Sequence, residues 1–294
     1  MLKCAYNNLL VCTDGSDFST GALREGIRIA KECGARLTIL SVIDFNPEFE
    51  ALAPDLTERM EEEAAKIVRA GQAMAERESV QCDGLVRRGG APYLEIADEA
   101  FRRKTDLIVM GRRGRTGLKR LLMGSVTKRV IGHAPCNILV VPKAAQVLNR
   151  NILVATDGST FSRAAAAEAI GIAKTYGSML YVISVVRAES REPFDIVSSH
   201  MPKDLVAGHE AAGAETSIRE VRELAEKSGV TAHGILLGGN IADVIVEASN
   251  ARNIDLVVLG SHGRTGVERL LMGSVAERVV GSVACATLVV KAKP

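Results

Sequence analysis

Aromatic side chains make up only 3% of this 294-residue chain, and tryptophan is absent. Surfaces that stack successive bases of single-stranded nucleic acid are built from such rings, so that class of binder is disfavoured. Neither sign of charge dominates: 37 Lys and Arg against 35 Asp and Glu leave a net +2, which also argues against a strongly cationic nucleic-acid protein. No apolar run approaches the ~18 residues that cross a bilayer. Only 8 prolines, with 47% apolar and 24% charged residues, exclude a disordered or collagen-like chain. The six cysteines include no Cys-x-x-Cys, and the five histidines are dispersed. No local cluster therefore offers a zinc site. The cysteines read as buried free thiols rather than a disulfide framework.

What is present is a duplication. Asn8-Leu-Leu-Val-Cys-Thr-Asp-Gly-Ser returns as Asn151-Ile-Leu-Val-Ala-Thr-Asp-Gly-Ser. A segment reused in mid-chain reads as a strand, not a removable leader, and the expected location is cytoplasmic. Residues 110–131 and 259–280 agree at 14 of 22 positions. The offset between copies grows by six residues between Asp14/Asp157 and Gly111/Gly260. The second copy is therefore longer in its middle, within 187–214. Two domains, 1–143 and 150–294, follow, joined by a linker at 144–149 too short to let them roam.

Each copy alternates short apolar runs with helical patterns, which predicts an α/β fold: two similar doubly wound domains, each a five-stranded parallel sheet flanked by helices. In the first copy the strands fall at 8–12, 36–43, 82–87, 106–110 and 137–141. In the second they fall at 152–155, 180–185, 231–236, 255–259 and 287–290. Ser16 or Asp17 is the expected N-cap of the first helix. In such a fold ligands bind beyond the carboxyl ends of the strands, at the switch point.

Three features lie there in each copy: the turn ending in Asp14 or Asp157, the end of strand two at Val42 or Val185, and a glycine loop after strand four. That loop reads Gly111-x2-Gly114-x9-Gly124-Ser125 and Gly260-x2-Gly263-x9-Gly273-Ser274. Glycines admit close backbone approach, and a helix starting at Ser125 or Ser274 offers free N–H groups to an anion. Arg115 and Arg264 stand where they can screen phosphate charge. The loop is neither a Walker motif nor Gly-x-Gly-x-x-Gly. Ordinary turn and cap chemistry produces the same residues, and Asp14 and Asp157 serve equally as helix caps or as contacts to Mg²⁺ or a ribose.

On this duplicated glycine signature the chain resembles a tandem universal stress protein of the ATP-binding subgroup, over nearly its whole length. The resemblance implies the adenine nucleotide alpha hydrolase-like form of the fold and an adenine-nucleotide pocket in each domain, for ATP, ADP or AMP, with Mg²⁺ near Asp14 and Asp157. It implies that Thr13 and Asp14, with Thr156 and Asp157, lie near ribose and phosphate, and that the backbones of Val42 and Val185 meet adenine. Met110, Gly111, Arg113, Gly114, Arg115, Gly124 and Ser125 would wrap ribose and phosphates, as would Leu259, Gly260, His262, Gly263, Arg264, Gly273 and Ser274. Val126 and Thr127, and Val275 and Ala276, would supply helix-start amides.

Arg112-Arg113 in one copy stands where Ser261-His262 stands in the other. His262 has no counterpart base and reads as a loop residue. The basic run of Lys119, Arg120, Lys128 and Arg129 meets Glu268 and Glu277 in the second copy, so it reads as a solvated face. Cys136 and Cys285 read as packing. The expected function is nucleotide-dependent regulation in stress, acting on an unidentified protein partner, with at most slow hydrolysis. The alternatives are a scaffold that dimerises without nucleotide and an adenylating enzyme. The last strands, 137–141 and 287–290, are apolar enough to pair edge to edge, so an internal pseudo-dimer is expected, and a homodimer is possible by the same edge. No nucleic acid, membrane or protein-built metal cluster is expected.

Overall fold

A computed structural model describes residues 6–45, 54–115, 123–187, 194–195, 208–263 and 272–292. The chain divides into two units, the first ending at Gln146 and the second beginning at Val147. Among the described residues no helix is long and apolar enough to cross a membrane.

In the first unit the apolar runs become strands separated by helices. In chain order these are β1 (Asn8–Cys12), α1 (Asp17–Cys33), β2 (Arg36–Asp44), α2 (Pro54–Arg77), β3 (Cys82–Gly89), α3 (Pro92–Arg102), β4 (Leu107–Gly111), α4 (Ser125–His133) and β5 (Asn137–Val141). The strands pair in parallel in the order β3-β2-β1-β4-β5. The two central strands are covered on both faces, which is why Leu9–Val11 and Leu107–Val109 read as unbroken apolar runs and are at most 2% exposed. The edge strand β3 carries Asp83, Arg87 and Arg88 and stays largely accessible, the usual charged protection of an open edge.

The second unit repeats the plan with β6 (Asn151–Ala155), α5 (Thr160–Tyr176), β7 (Met179–Arg187), β8 (Phe194–Asp195), α6 (Gly208–Lys227), β9 (Ala232–Gly239), α7 (Ile241–Ala251), β10 (Leu256–Gly260), α8 (Ser274–Ser282) and β11 (Ala286–Val290). Its order is β11-β10-β6-β7-β9-β8, with five strands parallel. The sixth, β8, runs antiparallel along β9. It comes from the longer middle of the second copy, whose two strand residues carry no alternation that a sequence reading could recognise.

In both units the strand order reverses beside the first strand, between β1 and β4 and between β6 and β10, and this is where a ligand cleft forms. At the opposite end an aspartate clasps each first strand. The Asp106 carboxylate accepts N–H bonds from Asn7 and Asn8 at 2.7 and 2.9 Å. Asp255 accepts from Arg150 and Asn151 at 3.0 and 3.2 Å.

Two local expectations change. Ser16 is the N-cap of α1, as the sequence suggests, but its side chain caps nothing, because the hydroxyl turns back to Asp14. Ser159, its counterpart, does cap α5 by accepting from the Ser162 N–H at 3.2 Å. Cys33 is disulfide-bonded, so the reading of all six cysteines as free thiols fails there. Spacing alone gives no sign of a bridge in a chain without a cysteine framework. Cys12, Cys82, Cys136 and Cys285 form no disulfide, and burial, with Cys136 nearby, pushes the Cys12 thiol far above its ordinary value.

Candidate functional site

At the carboxyl end of β1 the chain leaves the sheet through Thr13 and Asp14. Thr13 donates its N–H to the Leu40 carbonyl at 2.9 Å. Its hydroxyl lies 3.0 Å from Ser19 Oγ and accepts from the Gly15 N–H at 3.2 Å. Asp14 then gathers three donors. Oδ1 accepts from the Ser16 N–H at 3.0 Å and the Ser16 hydroxyl at 2.6 Å. Oδ2 accepts from the Arg115 N–H at 2.7 Å. Burial works to raise the Asp14 pKa, but the Ser16 hydroxyl, the Ser16 amide and then the Arg115 amide outweigh it and hold the carboxyl below its ordinary value. The aspartate is thus a clasp between the first turn and the glycine loop, and it does not cap α1.

The glycines of that loop divide by what they do. A Cβ on Gly114 would stand 2.6 Å from Asp14 Oδ2, and one on Gly263 2.9 Å from Asp157 Oδ2. Their bareness is what lets the clasp close. A Cβ on Gly111 would meet the Phe18 carbonyl at 2.6 Å, so that glycine lets β4 pack against the start of α1. Gly124 is different. Its φ is −68°, open to any residue, and a Cβ there would find nothing nearer than 3.5 Å. Gly273, with φ −66° and the same 3.5 Å clearance, matches it. Protein packing does not explain these two glycines, and both sit at the first turn of a helix that no side chain caps. What they keep clear is the approach to the first amides of α4 and α8, where an anion is favoured. Each loop is closed at its neck by one bond, from the Gly124 N–H to the Arg112 carbonyl and from the Gly273 N–H to the Ser261 carbonyl, both 2.9 Å.

In the first unit the loop arginines are used differently from expectation. Arg115 donates from Nε to the Asp14 carbonyl at 2.6 Å and from its guanidinium to Glu63 of α2 at 3.0 Å. It is spent on the protein. Arg113, by contrast, has a buried Nε with no hydrogen-bond partner among the described residues, a donor that an anionic ligand would satisfy. The Thr127 hydroxyl is buried and donates to the Gly111 carbonyl at 3.0 Å. Its replacement by Ala276 therefore removes a tie between α8 and β10 rather than a ligand contact. Met110 is buried in β4 and Val42 is half-buried near the end of β2, while Ser125 and Val126 open α4, exposed and half-buried.

The second unit has a half-open cavity of about 400 Å³ beyond the ends of β6, β7 and β10. Thr156, Asp157, Val185, Leu259, Gly260, His262, Gly263, Gly273, Ser274, Val275 and Ala276 all line it. Arg264, like Lys119 and Arg120, lies outside the described residues. His262 is held by the Ser261 hydroxyl, 3.1 Å from Nδ1, and by the Phe161 ring at 5.2 Å between centroids. Asp157 Oδ1 accepts from the Ser159 N–H at 3.0 Å, as Asp14 does from Ser16.

The sequence reading missed other lining residues, among them Ser162, Ser184, Arg187, Ile241 and Ile245. Ser184 and Arg187 adjoin Val185 on β7 and were within reach of the strand pattern. Ile241 and Ile245 come from α7 at helical spacing and carry no local signal. Among the described residues no group of three or more His, Cys, Asp or Glu could hold a metal ion.

The model of the universal stress protein family matches residues 5–142 and 149–291. A universal stress protein of Methanocaldococcus jannaschii is 38% identical, the match spanning 49% of this chain and 83% of that protein. One of Bacillus subtilis is 32% identical over 46% of this chain and 99% of its own length. A crystal structure of a universal stress protein from Archaeoglobus fulgidus superposes with a TM-score of 0.72 and 20% identity, covering 97% of this chain and 96% of that one. A functionally unknown protein from Pseudomonas aeruginosa superposes at 0.66, with 19% identity, over 98% and 93%.

Proposed function

Because this chain belongs to the universal stress protein family, as a stress-response protein, we propose that each of its two units holds an adenine nucleotide at the switch point of its sheet, and that occupancy governs its engagement of a protein partner. One observation carries the reading. Every second-copy residue that the family resemblance assigns to a nucleotide pocket and that lies among the described residues lines a single cavity of about 400 Å³, a size suited to a small-molecule ligand.

The residues fit the parts of a nucleotide. The uncapped starts of α4 and α8, kept clear by Gly124 and Gly273, suit phosphates. In the first unit the orphaned Arg113 Nε adds a charged donor. Val185, with Ile241 and Ile245 across the cavity, provides an apolar slot for a base. A magnesium ion fits less well as a direct ligand of Asp14, since both its oxygens already accept hydrogen bonds. Any Mg²⁺ would arrive bound to the phosphates. In the described part of the second cavity the titratable residues are Asp157, His262 and Arg187, a set suited to holding a nucleotide, with hydrolysis slow at most.

The test is to denature freshly purified protein and to identify and count the small molecules released. Two adenine nucleotides per chain are expected. None, followed by no uptake of added Mg-ATP, would overturn the proposal in favour of a scaffold that works without nucleotide.

A further inference from the structure

Helices α3 and α7 hold equivalent places in the two units and each runs for 11 residues. The offset that relates Gly111 to Gly260 also relates Pro92 to Ile241, so the two helices align residue by residue. Their outward faces differ in kind. In α7 the outward residues are Asp243, Glu247 and Asn250, and Arg278 of α8 donates to the Asp243 carboxylate at 2.8 Å. That face is closed by an ordinary solvated ion pair.

In α3 the same positions hold Leu94, Asp98 and Phe101. Leu94 is 43% exposed, and Phe101, at 75%, is the most exposed large apolar side chain among the described residues. With a leucine in the aspartate's place, Arg129 of α4, the counterpart of Arg278, lies over the Tyr93 ring, 5.2 Å from its centroid. His133 packs on the same ring at 4.8 Å. The second unit has Ala242 and Ser282 where these two stand.

Exposed apolar side chains that occur singly carry no meaning, but here several positions change together. Leu94 and Phe101 stand two helical turns apart, about 10 Å, with Asp98 between them. Arg129 lies at one end of this ridge and Arg102 at the other; both are exposed, and neither has an ion-pair partner among the described residues. Exposed Lys128 adds a third cation where the second unit has Glu277, and Arg102 stands where it has Ala251. One copy therefore shows water an acidic face with its arginine neutralised, and the other an apolar ridge framed by cations.

We propose that the outward face of α3 and α4 docks an acidic amphipathic helix of a partner protein. Apolar residues of that helix would lie along Leu94 and Phe101, with carboxylates toward Arg129 and Arg102 and a polar or basic residue opposite Asp98. An anionic membrane would meet the same cations, but Asp98 in the middle of the ridge would face its headgroups. The inference rests on the proposed function only for the existence of a protein partner; none of these residues was assigned to the nucleotide pocket.

The experiment is fluorescence anisotropy of the full chain with a labelled helical peptide whose leucine stripe is flanked by glutamates, and with the same peptide carrying lysines instead. The glutamate peptide should bind saturably, at least about tenfold more tightly than the lysine peptide. Leu94→Asp with Phe101→Asn installs the residues that the second unit already carries, so the fold should stand while binding falls by at least about tenfold. Nucleotide released on denaturation should be the same from variant and parent. Peptide binding by a chain that holds no nucleotide would remove the pocket reading and leave this face standing. A glutamate peptide that does not bind, binds no better than the lysine peptide, or binds the double variant equally well would overturn the proposal. Binding of phosphatidylserine vesicles in place of the peptide would overturn it in favour of a lipid surface. Self-association in sedimentation velocity that the double variant abolishes would overturn it in favour of a second copy of this chain.

Discussion

At the scale of single residues, the glycines of one loop answer to two different masters. Gly114 is bare because Asp14 needs its space; Gly124 is bare although the protein leaves room for a side chain. Substituting each by alanine should separate the two causes. Gly114→Ala drives a Cβ against the Asp14 carboxylate, so it should lower stability by roughly 1–3 kcal/mol, the cost of strain and a lost charged hydrogen bond, and lower nucleotide retention with it. Gly124→Ala should cost under about 1 kcal/mol, the difference between glycine and alanine at an N-cap, yet still reduce nucleotide retention. Chemical denaturation and the release assay, run side by side, decide the matter; equal effects from both variants would mean that Gly124 is structural after all.

Asp14 itself has a pH signature. Its folded pKa lies below the ordinary carboxylate value, so its stabilisation is present above the unfolded pKa of about 3.9 and is lost as pH falls through the folded value. Asp14→Asn should therefore be destabilised at pH 7 by about 1–2 kcal/mol, and the gap to the parent should close toward pH 3 in urea titrations.

Among the elements, the strands that could be read from sequence are those buried on both faces. β1, β4, β5 and their counterparts are continuous apolar runs because helices cover both sides. The third strand of each unit was read short: β3 extends to Gly89 and β9 to Gly239, since Arg88 and the glycines that end these strands interrupt the apolar pattern. The candidate pocket was legible where it lies on loops marked by glycine. It was not legible where helix α7 contributes side chains from across the cavity, because nothing local ties Ile241 to Val185. The uses of polar groups were equally hidden, since the sequence does not distinguish an arginine turned to Glu63 from one awaiting an anion.

One contact between elements is peculiar to the first unit. Glu99 of α3 is 3% exposed and binds Arg87 of β3 and Arg103, which continues to Asp83 and to the Thr38 hydroxyl. Burial pushes its pKa upward, but Arg103 and Arg87 more than offset this and hold it below the ordinary range. Removing the charge would strand two arginines, although their partial exposure softens the penalty. Glu99→Gln should cost about 2–3 kcal/mol, the loss shrinking as acid neutralises Glu99 in the parent. The second unit has Ala248 at the corresponding place and should be unaffected, which tryptic fragments resolved during thermal unfolding would report.

For the whole molecule, duplication means that each binding event stabilises one unit. A ligand at a hundredfold its dissociation constant contributes about 2.7 kcal/mol to the unit that binds it, worth roughly 6–12 °C in a domain of this size. Mg-ATP should therefore raise the whole melting profile in calorimetry, both units gaining together. A shift confined to part of the profile would instead indicate that one unit alone binds.

The aspartate clasps have a consequence for how the gene can be cut. Asp106 anchors the start of β1 from within the first unit, and Asp255 anchors β6 from within the second. Neither first strand borrows its anchorage from the other half. A break between Gln146 and Val147 leaves both moorings whole, so two separately encoded half-chains are the natural split form of this protein, each free to be tagged, titrated or exchanged without its sibling.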